Sequence, residues 1–314
     1  MGRRKKGQPI DGWLVLDKPA GLGSTDAVNR ARRLFDARKA GHGGTLDPFA
    51  TGLLPIAFGE ATKTVQYVMD GRKTYRFTIR FGVETDTLDI DGTEVARAPA
   101  DHLDGEAVAA VLSRFLGTIE QVPPAYSAIK VDGKRAYDRA RGGEEVTLAA
   151  RPVRIDALTP IGFRQSAEGP EAEIEVRCGK GTYVRSLARD IAGALGTVGH
   201  VAALRRTAVA GFGEEAAISL EALEQLGHNP AALAERLLPI EAALDGIPVM
   251  ALSEAETMRL RNGQAVSLLR KIDLDRIAGL ADGDELVALH KGKAVALARY
   301  AKGGIKPVRV LNTG

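Results

Sequence analysis

The sequence is poor in the residues that secreted, membrane-spanning or metal-dependent proteins need. Cysteine occurs once, as Cys178, and histidine five times in 314 residues, which excludes an intramolecular disulfide framework and a cysteine-rich metal site. No apolar run of about 18 residues or more occurs, so no transmembrane helix is predicted. The basic start, Met-Gly-Arg-Arg-Lys-Lys, is not followed by the apolar core of a secretion signal. We expect a cytoplasmic protein that binds no metal and no membrane.

Three frequent catalytic motifs are also missing. The sequence contains no G-x-x-x-x-G-K-[ST] loop, no G-x-S-x-G elbow and no H-E-x-x-H helix. These absences argue against a P-loop nucleotidase, a serine hydrolase and a zinc peptidase. The net charge of +3 comes from 43 basic and 40 acidic residues, so the distribution of the charges has to indicate any polyanionic partner.

Residues 41–55, GHGGTLDPFATGLLP, combine turn-forming residues with one histidine, His42, and one carboxylate, Asp47. Such a loop bends sharply and lets a ligand approach its backbone. A phosphate-binding loop is excluded because no lysine and helix follow the glycines. Two interpretations remain open. Aspartate is a common turn residue, and an aspartate held near an electrophilic carbon can be a nucleophile.

The N-terminal part of the chain shows the first strand and helix patterns. Residues 13–16 read as a short apolar strand. A helix over about 26–37 is predicted to be capped by Ser24 or Thr25. Residues 84–94 hold three aspartates before a glycine, but the glutamate that would close a calcium loop is missing. We interpret that segment as an acidic turn.

Two further strands and one helix carry candidate functional residues. Residues 73–81 alternate strictly and place Tyr75 on the apolar face of a strand. A strand ending at Cys178 makes that thiol a small buried apolar group rather than a nucleophile. After a glycine-containing turn, a helix over 183–191 has Arg185 near its start. A cation is disfavoured there, which indicates a carboxylate or phosphate partner.

Basic residues concentrate in three regions. One is the helix near Arg30, a second is a Gly/Pro-hinged segment over about 123–154 with interspersed tyrosines, and the third is 291–309, which has six basic residues and no acidic one. Each is compatible with a solvated surface. Basic residues with interleaved aromatics are also typical of RNA-binding surfaces, and we call the second region a predicted flap.

The composition changes near residue 214. Residues 214–245 contain seven acidic residues and one basic residue, and short helices broken by proline make about 214–246 a candidate connector. From about 247 a small unit begins, with a helix near 254–261 followed by three strands. We therefore expect two domains, 1–246 and 247–314, the second one β-rich.

Several segments resemble the motifs of the TruB family, the tRNA pseudouridine-55 synthases. They follow the family's order through about residues 12–210, which makes the resemblance highly specific, and they are residues 14–19, 41–55, Tyr75 in its strand, 85–89, 123–130, 180–185 and 204–206. The part after 247 is similar to the PUA-like RNA-binding domain of such enzymes, without a sharp motif. One departure is Gly43, where the family usually has threonine.

The resemblance implies an α+β fold: a pseudouridine synthase catalytic domain with a central, mainly antiparallel sheet, plus a small β-rich PUA-like domain. It implies that a uridine in the TΨC loop of tRNA, position 55, is isomerised without cofactor or metal. Asp47 would be the nucleophile, attacking either ribose C1′ or uracil C6, and Arg185 would pair with it. Tyr75 would stack on the flipped base and is a candidate for proton abstraction.

The remaining roles concern binding. By the same resemblance, Tyr183 and Leu204 would line the base pocket and His42 would hold the distorted RNA loop after base flipping. We expect a monomer that needs no protein partner and no guide RNA, because the chain keeps its own flap. Two alternatives are a non-catalytic RNA-binding or tRNA-folding protein and a pseudouridine synthase that acts on another RNA.

Overall fold

The computed structural model describes residues 7–127, 129–131, 134–135, 139, 148–273 and 275–312. The basic start of the chain, at 3–6, and part of the predicted flap, at 128, 132–133, 136–138 and 140–147, therefore lie outside the described residues. No helix in the described part of the chain is long and apolar enough to cross a membrane.

Strands dominate the described residues, with short helices between them. The strands are β1 Gly12–Lys18, β2 Ala40–His42, β3 Thr51–Phe58, β4 Lys73–Phe81, β5 Val83–Thr85, β6 Glu94–Arg97, β7 Gly117–Gln121, β8 Lys130–Val131, β9 Lys134–Arg135, β10 Arg151–Ser166, β11 Gly169–Cys178, β12 Gly199–Val209, β13 Ala217–Ser219, β14 Val249–Ala251, β15 Val266–Ser267, β16 Glu285–His290, β17 Lys293–Ala301 and β18 Gly304–Val310. The α-helices are α1 Ser24–Leu34, α2 Val65–Asp70, α3 Gly105–Leu112, α4 Val184–Ala194, α5 Leu220–Gln225, α6 Pro230–Ala234 and α7 Glu254–Arg261.

Within the described residues, nine strands form one large sheet in the order β13-β1-β3-β12-β4-β11-β10-β7, with β2 paired to β3. The pairs β13–β1 and β3–β12 are parallel and the other pairs are antiparallel. The predicted α+β fold with a mainly antiparallel central sheet is confirmed. Strand β12 comes late in the chain, yet it lies between β3 and β4 at the centre of the sheet.

Both faces of the sheet are covered, which explains the continuous apolar run in β1. Because side chains alternate along a strand, Leu14 and Leu16 join one core cluster and Trp13 and Val15 join another. The first cluster includes the inner side of α1, where Ala27 and its neighbours are buried, and much of α4. Both faces of β1 are therefore apolar without alternation in the sequence.

The small unit after residue 247 forms a second sheet, in the order β14-β16-β17-β18-β15. Helix α7 begins at a capping box, in which the Ser253 hydroxyl accepts from the Glu256 N–H and the Glu256 carboxylate accepts from the Ser253 N–H. The predicted helix and three strands of this unit are confirmed. Val287 and Leu297 of this sheet join the cluster that contains Trp13, so the two sheets share a core.

The acidic segment predicted as a connector packs against the large sheet. Its strand β13 pairs in parallel with β1 at the sheet's edge, and Leu220, Leu223 and Leu233 are buried in the first core cluster. The sequence pattern did not predict β13, because three residues of strand carry too little periodicity.

Candidate active site

Asp47 lies on the loop between β2 and β3, in a mostly apolar setting. Leu46, Phe49 and Ala50 are buried, whereas the Asp47 side chain is 34% exposed. Burial of the neighbouring side chains anchors the loop in the core, and the partial exposure leaves the carboxylate open to a ligand. The loop is thus neither a free surface turn nor a closed core segment.

Lys18, at the end of β1, holds one side of this loop. Its side chain is fully buried, and its Nζ donates to the carbonyl oxygens of Pro19 at 2.9 Å, Leu22 at 2.8 Å and Pro48 at 3.1 Å. Burial lowers the pKa of Lys18 to about 8, although the nearby Asp47 charge acts in the opposite direction. A buried ammonium with three donors can satisfy three carbonyl groups at once.

Ser24 and Arg206 hold the loop at other points. The Ser24 hydroxyl donates to the Leu46 carbonyl at 2.8 Å and accepts from the Leu46 N–H at 2.9 Å. The predicted role of Ser24 as a helix cap is wrong: Gly23 is the N-cap, and Thr25 is inside the helix. Arg206, which is 1% exposed, donates from Nη2 to the Gly44 carbonyl at 3.0 Å.

Arg185 is the direct partner of Asp47. It lies in the first turn of α4, its side chain is 6% exposed, and its Nε is 2.9 Å from Asp47 Oδ2. Its Nη1 donates to the Thr87 carbonyl at 2.7 Å and its Nη2 to the Tyr126 carbonyl at 3.0 Å. The acidic partner expected from its position at the start of the helix is present. These bonds fix the guanidinium, which then holds the carboxylate in one place.

Asp89 is a second carboxylate on Arg185 that the sequence analysis missed. Its Oδ2 is 3.3 Å from Arg185 Nη1, and its side chain is 7% exposed. Burial raises the pKa of Asp89, while the hydrogen bond from Thr87 and the charge of Arg185 act against that rise. The predicted acidic turn is present at residues 89–92, where the Asp91 N–H donates to Asp89 Oδ1. The TruB-like motif at 85–89 was the signal that could have identified it.

Tyr75 lies in β4, between β11 and β12, and is paired with Arg206 of β12. It is partly buried, and Phe77 and Leu204 are cross-strand partners next to the pair formed by Tyr75 and Arg206. Burial raises the pKa of the Tyr75 hydroxyl, and the charge of Arg206 acts in the opposite direction. Leu204, which is 7% exposed, belongs to the core cluster against which Tyr75 packs.

Tyr183 is the N-cap residue of α4, two positions before Arg185. Its N–H donates to Gln121 Oε1 at 2.8 Å, and its carbonyl accepts from Gln121 Nε2 at 3.2 Å. The guanidinium carbon of Arg151 lies 5.3 Å from the centre of its ring, within the range of a cation–π contact. The aromatic ring is therefore held at the start of the helix that carries Arg185.

His42 ends β2, and its Nδ1 accepts from the Gly44 N–H at 3.4 Å. Burial lowers the pKa of His42, and the charge of Arg206 lowers it further, so the ring is neutral at neutral pH. Glycine at position 43, where the TruB family usually has threonine, has a local explanation. A Cβ at Gly43 would lie 2.5 Å from Val68 Cγ1, because Val68 already fills that space.

A metal site finds no support in the described part of the chain, where no group of three or more His, Cys, Asp or Glu side chains is placed to hold an ion. Cys178 is buried, as predicted, and burial raises the pKa of its thiol to about 11. A thiol of that kind is a poor nucleophile at neutral pH.

Comparison with known proteins identifies the family of the chain. The family described as TruB family pseudouridylate synthase (N terminal domain) matches residues 32–184, and tRNA pseudouridylate synthase B C-terminal domain matches residues 185–245. The chain is 52% identical over 312 residues to tRNA pseudouridine synthase B of Rhodospirillum rubrum, a match that covers 99% of this chain and 100% of that relative. The chain belongs to the TruB family.

A second TruB relative, tRNA pseudouridine synthase B of Caulobacter vibrioides, is 50% identical over 311 residues and covers 99% of each chain. Among solved structures, a chain in the archaeal box H/ACA sRNP Nop10-Cbf5 complex superimposes with a TM-score of 0.72, over 99% of this chain and 92% of that one. At 22% identity that likeness concerns the fold alone. The predicted family and fold are confirmed.

Proposed function

We propose that this TruB-family enzyme isomerises the uridine at position 55, in the TΨC loop of tRNA, to pseudouridine with Asp47 as the nucleophile. Conversion of a uridine in tRNA to pseudouridine is the activity of the family to which the chain belongs. The observation that supports the role of Asp47 is its ion pair with the buried Arg185, at 2.9 Å, on a partly exposed carboxylate. The ion pair holds the carboxylate in one place, and its partial exposure leaves it open to an electrophilic carbon.

The reaction moves one bond and one proton. In one route an Asp47 oxygen bonds to ribose C1′ as the C1′–N1 bond breaks, and in the other it adds to uracil C6. In both routes the C1′–N1 bond breaks, C1′ bonds to uracil C5, the C5 proton leaves, N1 gains a proton and Asp47 is released. Tyr75 is proposed to accept the C5 proton and to stack on the base. Since the atoms of substrate and product are the same, no cofactor is needed.

The target nucleotide has to leave its stack before Asp47 can reach it. Extrusion costs a few kcal/mol, on the order of values for base-flipping enzymes. We propose that Tyr183 and Leu204 line the pocket that receives the base and that His42 takes its place in the RNA loop. The neutral His42 ring at the loop's edge suits stacking against bases.

The remaining proposals concern the organisation and the partners of the enzyme. Residues 1–246 form the catalytic domain and 247–314 an RNA-binding domain, in support of which the second sheet has its own core cluster. The exposed basic residues of α1 and of 291–309 would contact phosphates, which would make tRNA affinity strongly dependent on salt. We further propose that the enzyme works in the cytoplasm as a monomer, without a protein partner or guide RNA.

The test is isomerisation of a T-arm stem-loop RNA by purified protein alone. Wild type is expected to form pseudouridine at position 55, and Asp47→Asn to lose at least about 10⁴-fold in rate, as loss of a catalytic nucleophile does. Asp101→Asn, a change at an exposed aspartate, is the matched control. RNA binding by wild type without product would indicate a binding protein, and product in a different RNA alone would overturn the proposed substrate.

A further inference from the structure

Arg206 lies where the two halves of the candidate site meet. Its strand β12 is hydrogen-bonded to β3 on one side and to β4 on the other. In that register Arg206 is paired with Gly52, at the start of β3, and with Tyr75 in β4. One residue therefore adjoins the strand that follows the Asp47 loop and the strand that carries Tyr75.

The guanidinium of Arg206 binds the backbone on both sides of Asp47, once in the loop and once in β3. Its Nε donates to the Leu53 carbonyl at 2.7 Å and its Nη2 to the Gly44 carbonyl at 3.0 Å. The planar group holds its N–H bonds in a fixed fork, so the two carbonyl groups are set relative to each other. An ammonium group is a single point with freely rotating donors and cannot impose that geometry.

The same guanidinium adjoins Tyr75, because the two residues are directly opposite each other in the β12–β4 pair and their side chains lie on one face of the sheet. It is almost fully buried, and its charge also acts on Lys18, Lys73 and His42, whose charged forms it disfavours. Among the residues that the structure describes, no ion pair joins Arg206 to a carboxylate. A buried cation in cationic surroundings is costly, which indicates a role beyond filling space.

We propose that Arg206 is a positioning residue that fixes the Tyr75 hydroxyl relative to Asp47, because one rigid guanidinium binds the backbone around Asp47 and contacts Tyr75. This inference rests on the proposed function, in which Tyr75 accepts the uracil C5 proton. Burial raises the pKa of the Tyr75 hydroxyl, and the charge of Arg206 opposes that rise, so removal of the charge should disfavour the phenolate, the form that can accept a proton.

Activity measurements separate this role from a structural one. Arg206→Met is expected to lower kcat by about 10²-fold, in the range of general acid–base contributions, with KM changed by less than about threefold. Because Arg206 acts through Tyr75, the double variant Arg206→Met/Tyr75→Phe should be little slower than Tyr75→Phe alone. Arg206→Lys should not restore kcat, since it lacks the fork. Arg205→Met is the matched control, because Arg205 pairs instead with Asp17 and Glu214.

A spectroscopic readout does not depend on activity. In protein labelled with ¹³C at the tyrosine ζ-carbon there are six tyrosines, and Tyr75→Phe identifies the Tyr75 signal. Arg206→Met and Arg206→Lys should both move that signal, and Arg205→Met should leave it in place. Circular dichroism establishes that each variant is folded. If Arg206→Met does not fold, Arg206→Lys is used instead for both the kinetic and the spectroscopic comparison with wild type.

Each outcome decides one claim. Suppose that the wild type is active and Tyr75→Phe is impaired. An unimpaired Arg206→Met would then overturn the role of Arg206 alone. So would a double variant whose loss in kcat equals the product of the losses in the two single variants. An unmoved Tyr75 signal would do the same. A wild type that forms no pseudouridine in any tRNA would overturn the proposed function, and with it the role of Arg206 in catalysis.

Discussion

Ser24 and Leu46 exchange two hydrogen bonds next to the proposed nucleophile. The Ser24 hydroxyl donates to the Leu46 carbonyl at 2.8 Å and accepts from the Leu46 N–H at 2.9 Å. Both groups are buried, so the hydroxyl satisfies a donor and an acceptor that water cannot reach. The first residue of α1 thereby fixes the backbone immediately before Asp47.

Ser24→Ala is expected to destabilise the protein and to slow the reaction. It leaves the Leu46 N–H and carbonyl unpaired, at a cost of about 1–3 kcal/mol for each buried group. A small displacement of Asp47 should also lower kcat by about tenfold or more. Urea unfolding and single-turnover rates measure the two effects, with exposed Thr25→Ala as control. Equal stability and rate in Ser24→Ala and Thr25→Ala would contradict the anchoring role.

Lys18 predicts a pH dependence of stability. Its pKa falls from 10.5 to about 8 on folding, chiefly through burial, so between these values the unfolded chain binds more protons than the folded one. The contribution of Lys18 to the free energy of unfolding is therefore present above pH 10.5, and it is lost as the pH falls through about 8.

The corresponding measurement compares the unfolding free energies of wild type and Lys18→Met from pH 8 to pH 10, about the window set by the lowered pKa of Lys18. Lys18→Met should remove part of the rise with pH, up to about 1.4 kcal/mol per pH unit. The contribution of Lys73, whose pKa is also lowered to about 8, remains. Lys39→Met, at an exposed lysine, should keep the wild-type slope. Parallel curves for wild type and Lys18→Met would refute the assignment.

Gly52 should not tolerate a side chain. Its φ is +99°, and a Cβ there would lie 2.3 Å from the Arg206 carbonyl oxygen. Gly52→Ala is expected to lose at least about 2 kcal/mol of unfolding free energy, since left-handed backbone alone costs about 1–2 kcal/mol. At Gly41 nothing lies within 4 Å of an added Cβ, so Gly41→Ala should unfold like wild type. Thermal unfolding of both variants measures the difference in stability between them. Equal stability of Gly52→Ala and Gly41→Ala would show that the backbone at Gly52 can shift to make room for a side chain.

Tyr67 and Glu285 connect helix α2 to the second sheet. The Tyr67 hydroxyl, in α2, donates to the Glu285 carboxylate in β16 at 2.5 Å, and burial raises the pKa of that hydroxyl. Tyr67→Phe should lower the unfolding free energy by about 1.5–3 kcal/mol, the range for hydrogen bonds to charged groups. Glu285→Gln in a double-mutant cycle should show coupling with it, and Tyr300→Phe is the control. Independent effects in the cycle would exclude a direct bond.

Short-range patterns predicted many of the elements well. The alternation over Lys73–Phe81 predicted β4 and its buried face, and the helix Glu254–Arg261 was predicted at its observed bounds. These features depend on side-chain periods within a few residues, which a sequence displays directly. The motif resemblance added the family and identified Asp47, Arg185 and Tyr75 as candidates.

The sequence by itself therefore determined the local elements and the residues that could react. The tertiary structure decided which distant groups meet. Asp89 reaches Arg185, Ser24 reaches Leu46, and Arg206 joins the Asp47 loop to Tyr75 because β12 inserts between β3 and β4. Strand pairing across such distances depends on the packing of the whole core and leaves no period in the local sequence, so only the folded chain shows it.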